Sequence, residues 1–181
     1  MKILVTGVGI TGKSLFRRVL VAFCRILCSP VFHYDTDEFK EIRDPYDKDC
    51  LIKLPKEFNE NAIYVIKDVH GPTNKAKLPL SAYDQIFYLY PSLLSHICFW
   101  LNRMPYWYRD GKHSWDANNG WQGTGKPRDI KNLPGIAKEF LRDMLCRRKW
   151  VKQDLEALNG LNYTMVKAKW TSSGPKFDVT Q

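Results

Sequence analysis

The sequence predicts an α/β protein with a doubly wound, parallel, five-stranded sheet. Three observations predict it. Short runs rich in β-branched and aromatic residues recur along the chain, separated by segments of helical apolar period. The first run, residues 1–6, leads directly into a glycine-rich loop and then a helix. Two later runs finish on aspartates, at Asp35 and Asp68, where the carboxyl ends of parallel strands open onto a crevice.

Taken in order, Met1, Lys2, Ile3, Leu4, Val5 and Thr6 form the first strand. The helix after it opens at Lys13 and carries Leu15, Val19, Leu20, Phe23, Ile26 and Leu27 at helical spacing. Ser29-Pro30 closes that unit, because a residue before proline is pushed out of the helical region. Val31, Phe32, His33 and Tyr34 make a second strand, which finishes on Asp35, Thr36, Asp37 and Glu38. Residues 39–61 are charged and broken by Pro45 and Pro55, which predicts short helices and loops over the site. Residues 61–69 read as a third strand, nearly continuous in apolar and β-favouring residues, as an interior parallel strand requires.

Gln85 to Tyr90 form a fourth strand, closed by Pro91 and Ser92. A helix from Leu93 to about Arg109 meets Pro105, which is expected to kink or end it. Residues 110–133 lose all periodicity and read as a long loop, a length usual for a functional lid. Pro134 suits the first turn of a helix reaching about Leu158, and Gly160 suits its cap. Residues 161–169 are the fifth strand, and residues 171–181 are expected to fray as a polar tail beyond a 1–170 domain.

Gly7, Val8, Gly9, Ile10, Thr11, Gly12, Lys13 and Ser14 match G-x-x-x-x-G-K-[ST] at every fixed position. The strand before and the helix after supply the context this motif needs, so the loop is expected to be a phosphate-binding P-loop. Its expected ligand is ATP, held by Gly7, Gly9, Thr11, Gly12, Lys13, Ser14 and Leu15. Lys13 would reach the β- and γ-phosphates, while Ser14, with Asp68 at the end of the third strand, would hold Mg²⁺. Residues 120–126 also spell G-x-x-x-x-G-K, but Pro127 stands where the hydroxyl should be and no apolar strand leads in, so this is not a second ATP site.

Asp35 and Asp37 close the second strand on the same cleft, where a carboxylate can take the proton of an attacking hydroxyl or hydrogen-bond a sugar. Either one suits the role. Capping of the next helix would also use them.

The chain resembles the P-loop kinases of the nucleoside and nucleotide kinase type. The likeness rests on residues 7–14, on Asp35-Thr36-Asp37 after the second strand, on Asp68 after the third, and on a basic segment late in the chain. It implies an ATP-dependent kinase in which Asp35 or Asp37 is the base or acceptor ligand. It further implies that Arg103, Arg109 or Arg128, in a lid at about residues 103–133, clamps the transferring phosphate. That lid is richer in tryptophan than the likeness suggests.

The formal charge is +9, and residues 103–152 hold twelve basic side chains against five acidic ones, a net +7. Such a segment concentrates polyanions. Trp107, Trp115 and Trp121, with Tyr106 and Tyr108, interleave with those cations, a pattern that stacks and neutralises nucleobases. The acceptor expected is therefore a nucleoside, a nucleotide or a modified base, free or within DNA or RNA. A solvated basic face over a small aromatic cluster is the plainer alternative.

A kinase of a small non-nucleotide metabolite would not need the cationic aromatic lid. A nucleotide-dependent switch stands as the third reading, although the only Asn-Lys, at Asn74-Lys75, lacks the rest of a guanine-reading Asn-Lys-x-Asp. Cys24, Cys28, Cys50, Cys98 and Cys146 show no zinc spacing and are expected to be reduced packing residues of a cytoplasmic protein. No signal peptide and no membrane span are expected; the most apolar stretch, residues 88–101, is too short for a bilayer and carries His96.

Overall fold

The computed structural model describes residues 1–26, 30–35, 50–51, 55–68, 72, 78–110, 114–116, 120–122 and 133–180. Backbone alone is described at Asp35, Leu133, Ile136 and residues 50–51, 106–110, 114–116 and 120–122. Among these residues the order is β1 (Lys2–Gly7), α1 (Lys13–Ile26), β2 (Val31–Asp35), β3 (Cys50–Leu51), β4 (Ile63–Lys67), β5 (Gln85–Pro91) and α2 (Leu93–Asp110). Then come β6 (Ser114–Asp116), β7 (Gly120–Gln122), α3 (Leu133–Leu158), β8 (Tyr163–Thr171) and β9 (Gly174–Thr180).

The apolar runs Ile3-Leu4-Val5 and Ile63 to Ile66 are buried throughout, so they can only be interior strands covered on both faces. They lie side by side in a sheet of seven strands ordered β3-β2-β4-β1-β5-β8-β9, parallel except for β9, which runs antiparallel to β8. β1 is central, pairing Val5 with Lys67 on one side and with Phe87 on the other.

Alternation along each strand divides two cores. Ile3, Val5, Ile63 and Val65 pack against Phe16, Val21 and Cys24 of α1. Leu4, Tyr64, Ile66 and Tyr88 pack on the opposite face, against Leu155 and Leu158 of α3. Helices therefore cover both faces, the doubly wound arrangement that the alternation of strands and helices predicts. Each fully buried side chain of this kind contributes about 1.5–3 kcal/mol. A third cluster, built on Trp100 with Ile10, Met104, Phe140 and Met144, ties α2 and α3 to the loop after β1.

Three expectations need correction. The sheet has seven strands rather than five, because β3 adds a short edge and β9 closes the other end. The stretch expected to fray from residue 171 is that closing strand. β8 would otherwise leave its outer backbone groups unpaired, and β9 satisfies them from Thr171–Gly174 to Met165–Thr180. It is fastened by the Lys169–Asp178 ion pair and by Phe177, whose ring meets Phe16 edge-on at 5.3 Å. The helix expected from Leu93 to about Arg109 is α2, Leu93–Asp110, which contains Pro105 rather than ending at it. Inside the segment expected to be structureless, β6 and β7 pair antiparallel, with Trp115 opposite Trp121. Pro134 does lie in the first turn of α3, and Gly160, at φ +80°, follows its end.

Candidate functional site: the loop after the central strand

The connection after β1 leads to β2 on one side of the sheet, and the connection after β5 leads to β8 on the other. A crevice opens where neighbouring strands diverge in this way, at their carboxyl ends. The glycine-rich loop of residues 7–12 occupies that position, between the end of β1 and the start of α1.

Three backbone conformations curl the loop. Gly7 has φ +122°, Ile10 φ +53° and Gly12 φ +78°, all in the left-handed half of the map that glycine enters most freely. At Gly7 a side chain is also excluded by contact, since a Cβ there would overlap the Leu89 carbonyl oxygen of β5. The Val8 N–H donates to that same oxygen at 3.1 Å, so the loop is stitched to β5 where it leaves the sheet.

The loop's carbonyls are tied down in turn. Lys13 Nζ folds back from the first residue of α1 and donates to Gly7 O at 2.7 Å and to Val8 O at 3.0 Å. Thr11 Oγ1 donates to Val8 O at 2.9 Å. His96, fully buried on α2, lies with Nε2 3.0 Å from Gly9 O. That contact requires Nε2 to carry the proton. His96 is held neutral, its pKa lowered to about 4 by burial first and then by the Arg147 cation, with Lys13 adding to the effect. The first N–H groups of α1, which have no acceptor within the helix, start where this loop ends. Ammonium, helix terminus and curled backbone together suit an oxyanion.

Lys67 ends β4 on the face shared with Ile63 and Val65, and its ammonium donates to Ser14 Oγ at 3.2 Å. Asp68 is buried at the end of the same strand: its N–H donates to Val5 O at 2.9 Å, and its carboxylate, after burial, raises the pKa of the Tyr83 phenol. Ser14 Oγ thus meets the Lys67 ammonium, and Asp68, expected to share a metal ion with Ser14, is the buried residue that follows Lys67.

No family model, no curated protein and no solved structure matches this chain.

Among the other expected site residues, Gly9 sits where a Cβ would meet nothing, and Leu15 lies in the first turn of α1. The backbone of Asp35 ends β2 in register with Lys67, two strands from β1. Its side chain, Asp37, Arg128, the Arg109 side chain, His70, Gly71, Cys28 and the second glycine-rich stretch at 123–127 lie outside the described residues. The rings of Tyr106, Trp107, Tyr108, Trp115 and Trp121 do so as well. Arg103 is half-buried on the stripe of α2 that carries His96, Phe99 and Trp100, about 10 Å along the axis from His96. A concavity of about 530 Å³ on α3 is lined by Arg147, Arg148 and Lys152 with Glu156 as its acid, so the basic segment forms a cationic surface there. Cys24, Cys98 and Cys146 are free thiols, and no helix among the described residues is long and apolar enough to cross a membrane.

Two residues of the loop's surroundings escape sequence reasoning. Lys67 reads as an interruption of an apolar run, although its parity with Ile63 and Val65 aims it at α1. His96 reads only as a polar break in an apolar helix. Spacing with Phe99, Trp100 and Arg103 marks the buried stripe it belongs to.

Proposed function

We propose that this chain is an ATP-dependent phosphotransferase that moves a phosphoryl group to a hydroxyl of a nucleoside, a nucleotide or a modified base, free or within a DNA or RNA strand. The observation that carries the reading is Lys13. Its ammonium, buried to 7% exposure, lies across the carbonyls of a curled glycine loop at the carboxyl end of the central strand. A polyphosphate at such a loop is the ligand whose charge a lysine in this position complements.

In the proposed reaction the acceptor oxygen forms a bond to the γ-phosphorus while the bond from that phosphorus to the β,γ-bridging oxygen breaks, releasing ADP. Asp35 or Asp37 takes the proton from the acceptor hydroxyl. Lys13 and the opening N–H groups of α1 balance the charge that grows on the leaving phosphate. Arg103, with Arg109 and Arg128, is proposed to do the same from the lid side. The basic segment, with its interleaved aromatic residues, supports an acceptor that carries a base and a phosphate of its own.

Transfer of labelled γ-phosphate from ATP tests the reading, with nucleosides, nucleoside monophosphates and single- and double-stranded DNA bearing hydroxylated bases as parallel acceptors. Label on any of them supports the kinase and names its acceptor class. Label released only as free phosphate would move a nucleotide-dependent switch ahead of it.

A further inference from the structure

The outer side of α3 is a stripe of cations. At about 3.6 residues per turn, Lys138, Arg142, Lys149 and Lys152 share one face, with Arg148 at its edge, and all are exposed. Leu141 and Leu145 lie on the same face, and Leu145 is 79% exposed. We infer that this face docks a single-stranded nucleic acid, its cations holding phosphates and its leucines lying against sugars and bases. The inference deepens the kinase reading by choosing an acceptor within a strand over a free one, and it rests on that reading for what the docked strand is used for.

Charge and spacing support it first. Lys138, Arg148 and Lys149 have no ion-pair partner among the described residues, and Arg142 keeps a side chain 62% exposed beside Asp143. Glu156, the acid of the stripe, stands at its end, 3.9 Å from Lys152. From Lys138 to Lys152 the cations span about 21 Å of helix axis. A nucleic-acid strand in duplex geometry carries a phosphate about every 3.4 Å, so a strand laid along α3 offers one to each cation. On the flank of the stripe, the concavity of about 530 Å³ that Arg148 and Lys152 line with Val151 and Leu155 is large enough to take a base.

Placement and composition agree. The Arg147 guanidinium donates to the Pro91 carbonyl, which fixes α3 at the carboxyl end of β5. Ile10 of the glycine loop packs with Phe140 and Met144, on the side of α3 turned from the stripe. A docked strand therefore lies about one helix diameter, 10–12 Å, from the loop, and a nucleotide swung out of the strand can cross that distance. A helix that lies on a membrane keeps its apolar face apart from its charged one, whereas Leu141 and Leu145 stand among the cations. A single strand presents phosphates and unstacked bases together, which suits that mixture.

Fluorescence anisotropy with the full chain and labelled single strands of about 20 nucleotides, one DNA and one RNA, tests the inference. Binding to either supports it and names the sugar. The log–log slope of affinity against salt should be about −3.5 with all five cations engaged. A Lys138→Gln, Lys149→Gln double variant should weaken binding by about tenfold or more at about 50 mM salt and bring the slope to about −2. A Lys56→Gln, Lys176→Gln double variant removes the same charge from exposed positions elsewhere and should change the affinity by less than about threefold. Equal losses in the two double variants, no binding to either strand, or binding confined to phosphatidylglycerol vesicles overturns the inference. Calorimetry with ADP reads the kinase proposal separately. ADP bound without strand binding removes the docking face and leaves the nucleotide site standing, whereas strand binding without ADP or ATP binding keeps the docking face and overturns the kinase.

Discussion

His96 Nε2 and the Gly9 carbonyl oxygen meet at 3.0 Å, joining the buried stripe of α2 to the middle of the loop after β1. Burial of this imidazole, more than the bond itself, makes stability depend on pH. In the folded chain the imidazole pKa is lowered to about 4, against an ordinary value of 6.5 when unfolded. Between those values the unfolded chain binds the extra proton. His96 therefore contributes its full share of stability above about pH 6.5 and loses it progressively as pH falls toward about 4, a change on the order of 3 kcal/mol at most. Denaturation midpoints measured across that window should fall more steeply for the wild type than for His96→Gln, which keeps a donor but cannot titrate.

Gly7 and Gly9 should respond oppositely to the same substitution. Gly7→Ala meets both a positive φ and the Leu89 backbone, and is expected to cost about 2 kcal/mol or more. Gly9→Ala meets nothing and should stay within about 0.5 kcal/mol of the wild type. Urea titrations of the two variants make the comparison.

Lys13→Ala is expected to lower phosphoryl transfer by about 100-fold or more, because it removes a charge matched to the leaving phosphate. Asp35→Asn should leave ATP affinity near the wild-type value and cut turnover by about 100-fold or more if Asp35 is the base. Equal loss of ATP affinity in both variants would count against the assignment of separate roles. Calorimetry gives the affinities, and the labelled-phosphate assay gives the turnover.

Tyr88 on β5 donates to Asp154 Oδ2 on α3 at 2.9 Å, inside the core opposite α1. Burial and this carboxylate together raise the tyrosine's pKa well above its ordinary value. Tyr88→Phe keeps the ring and removes one donor from a buried carboxylate, so it should destabilise the chain by about 1–3 kcal/mol while leaving nucleotide affinity unchanged. A melt and a binding isotherm on one sample separate the two effects.

Phe177→Ala should cost about 2 kcal/mol, less than a fully buried phenylalanine because the ring is only half-buried. Deleting residues 172–181 should cost more, since β8 then loses its outer partner. A frayed tail would tolerate both changes, so thermal melts discriminate directly.

β1, β4 and β5 were legible because an interior parallel strand must be apolar on both faces, and Leu4, Val65, Ile66 and Leu89 leave no other reading. The glycine loop was legible for a similar reason: its glycines answer backbone demands, at Gly7 and Gly12, that no other residue meets cheaply. β9 escaped because Lys176 and Asp178 face water and its apolar signal is confined to Phe177 and an exposed Val179, so pairing to β8 rather than propensity decides it. The role of Lys67 escaped because it lies in which partner its ammonium finds across the sheet, 53 residues from Ser14.

Gly12 turns against Phe99 of α2 and Phe177 of β9, so the last strand of the chain helps hold the first loop. On a ribosome, β1, β4 and β5 can assemble once the first half of the chain has emerged. The loop they carry gains its contact with Phe177 only once β9 has emerged as well. A nascent chain halted before β9 would thus present a formed sheet centre and a glycine loop without its Phe177 neighbour.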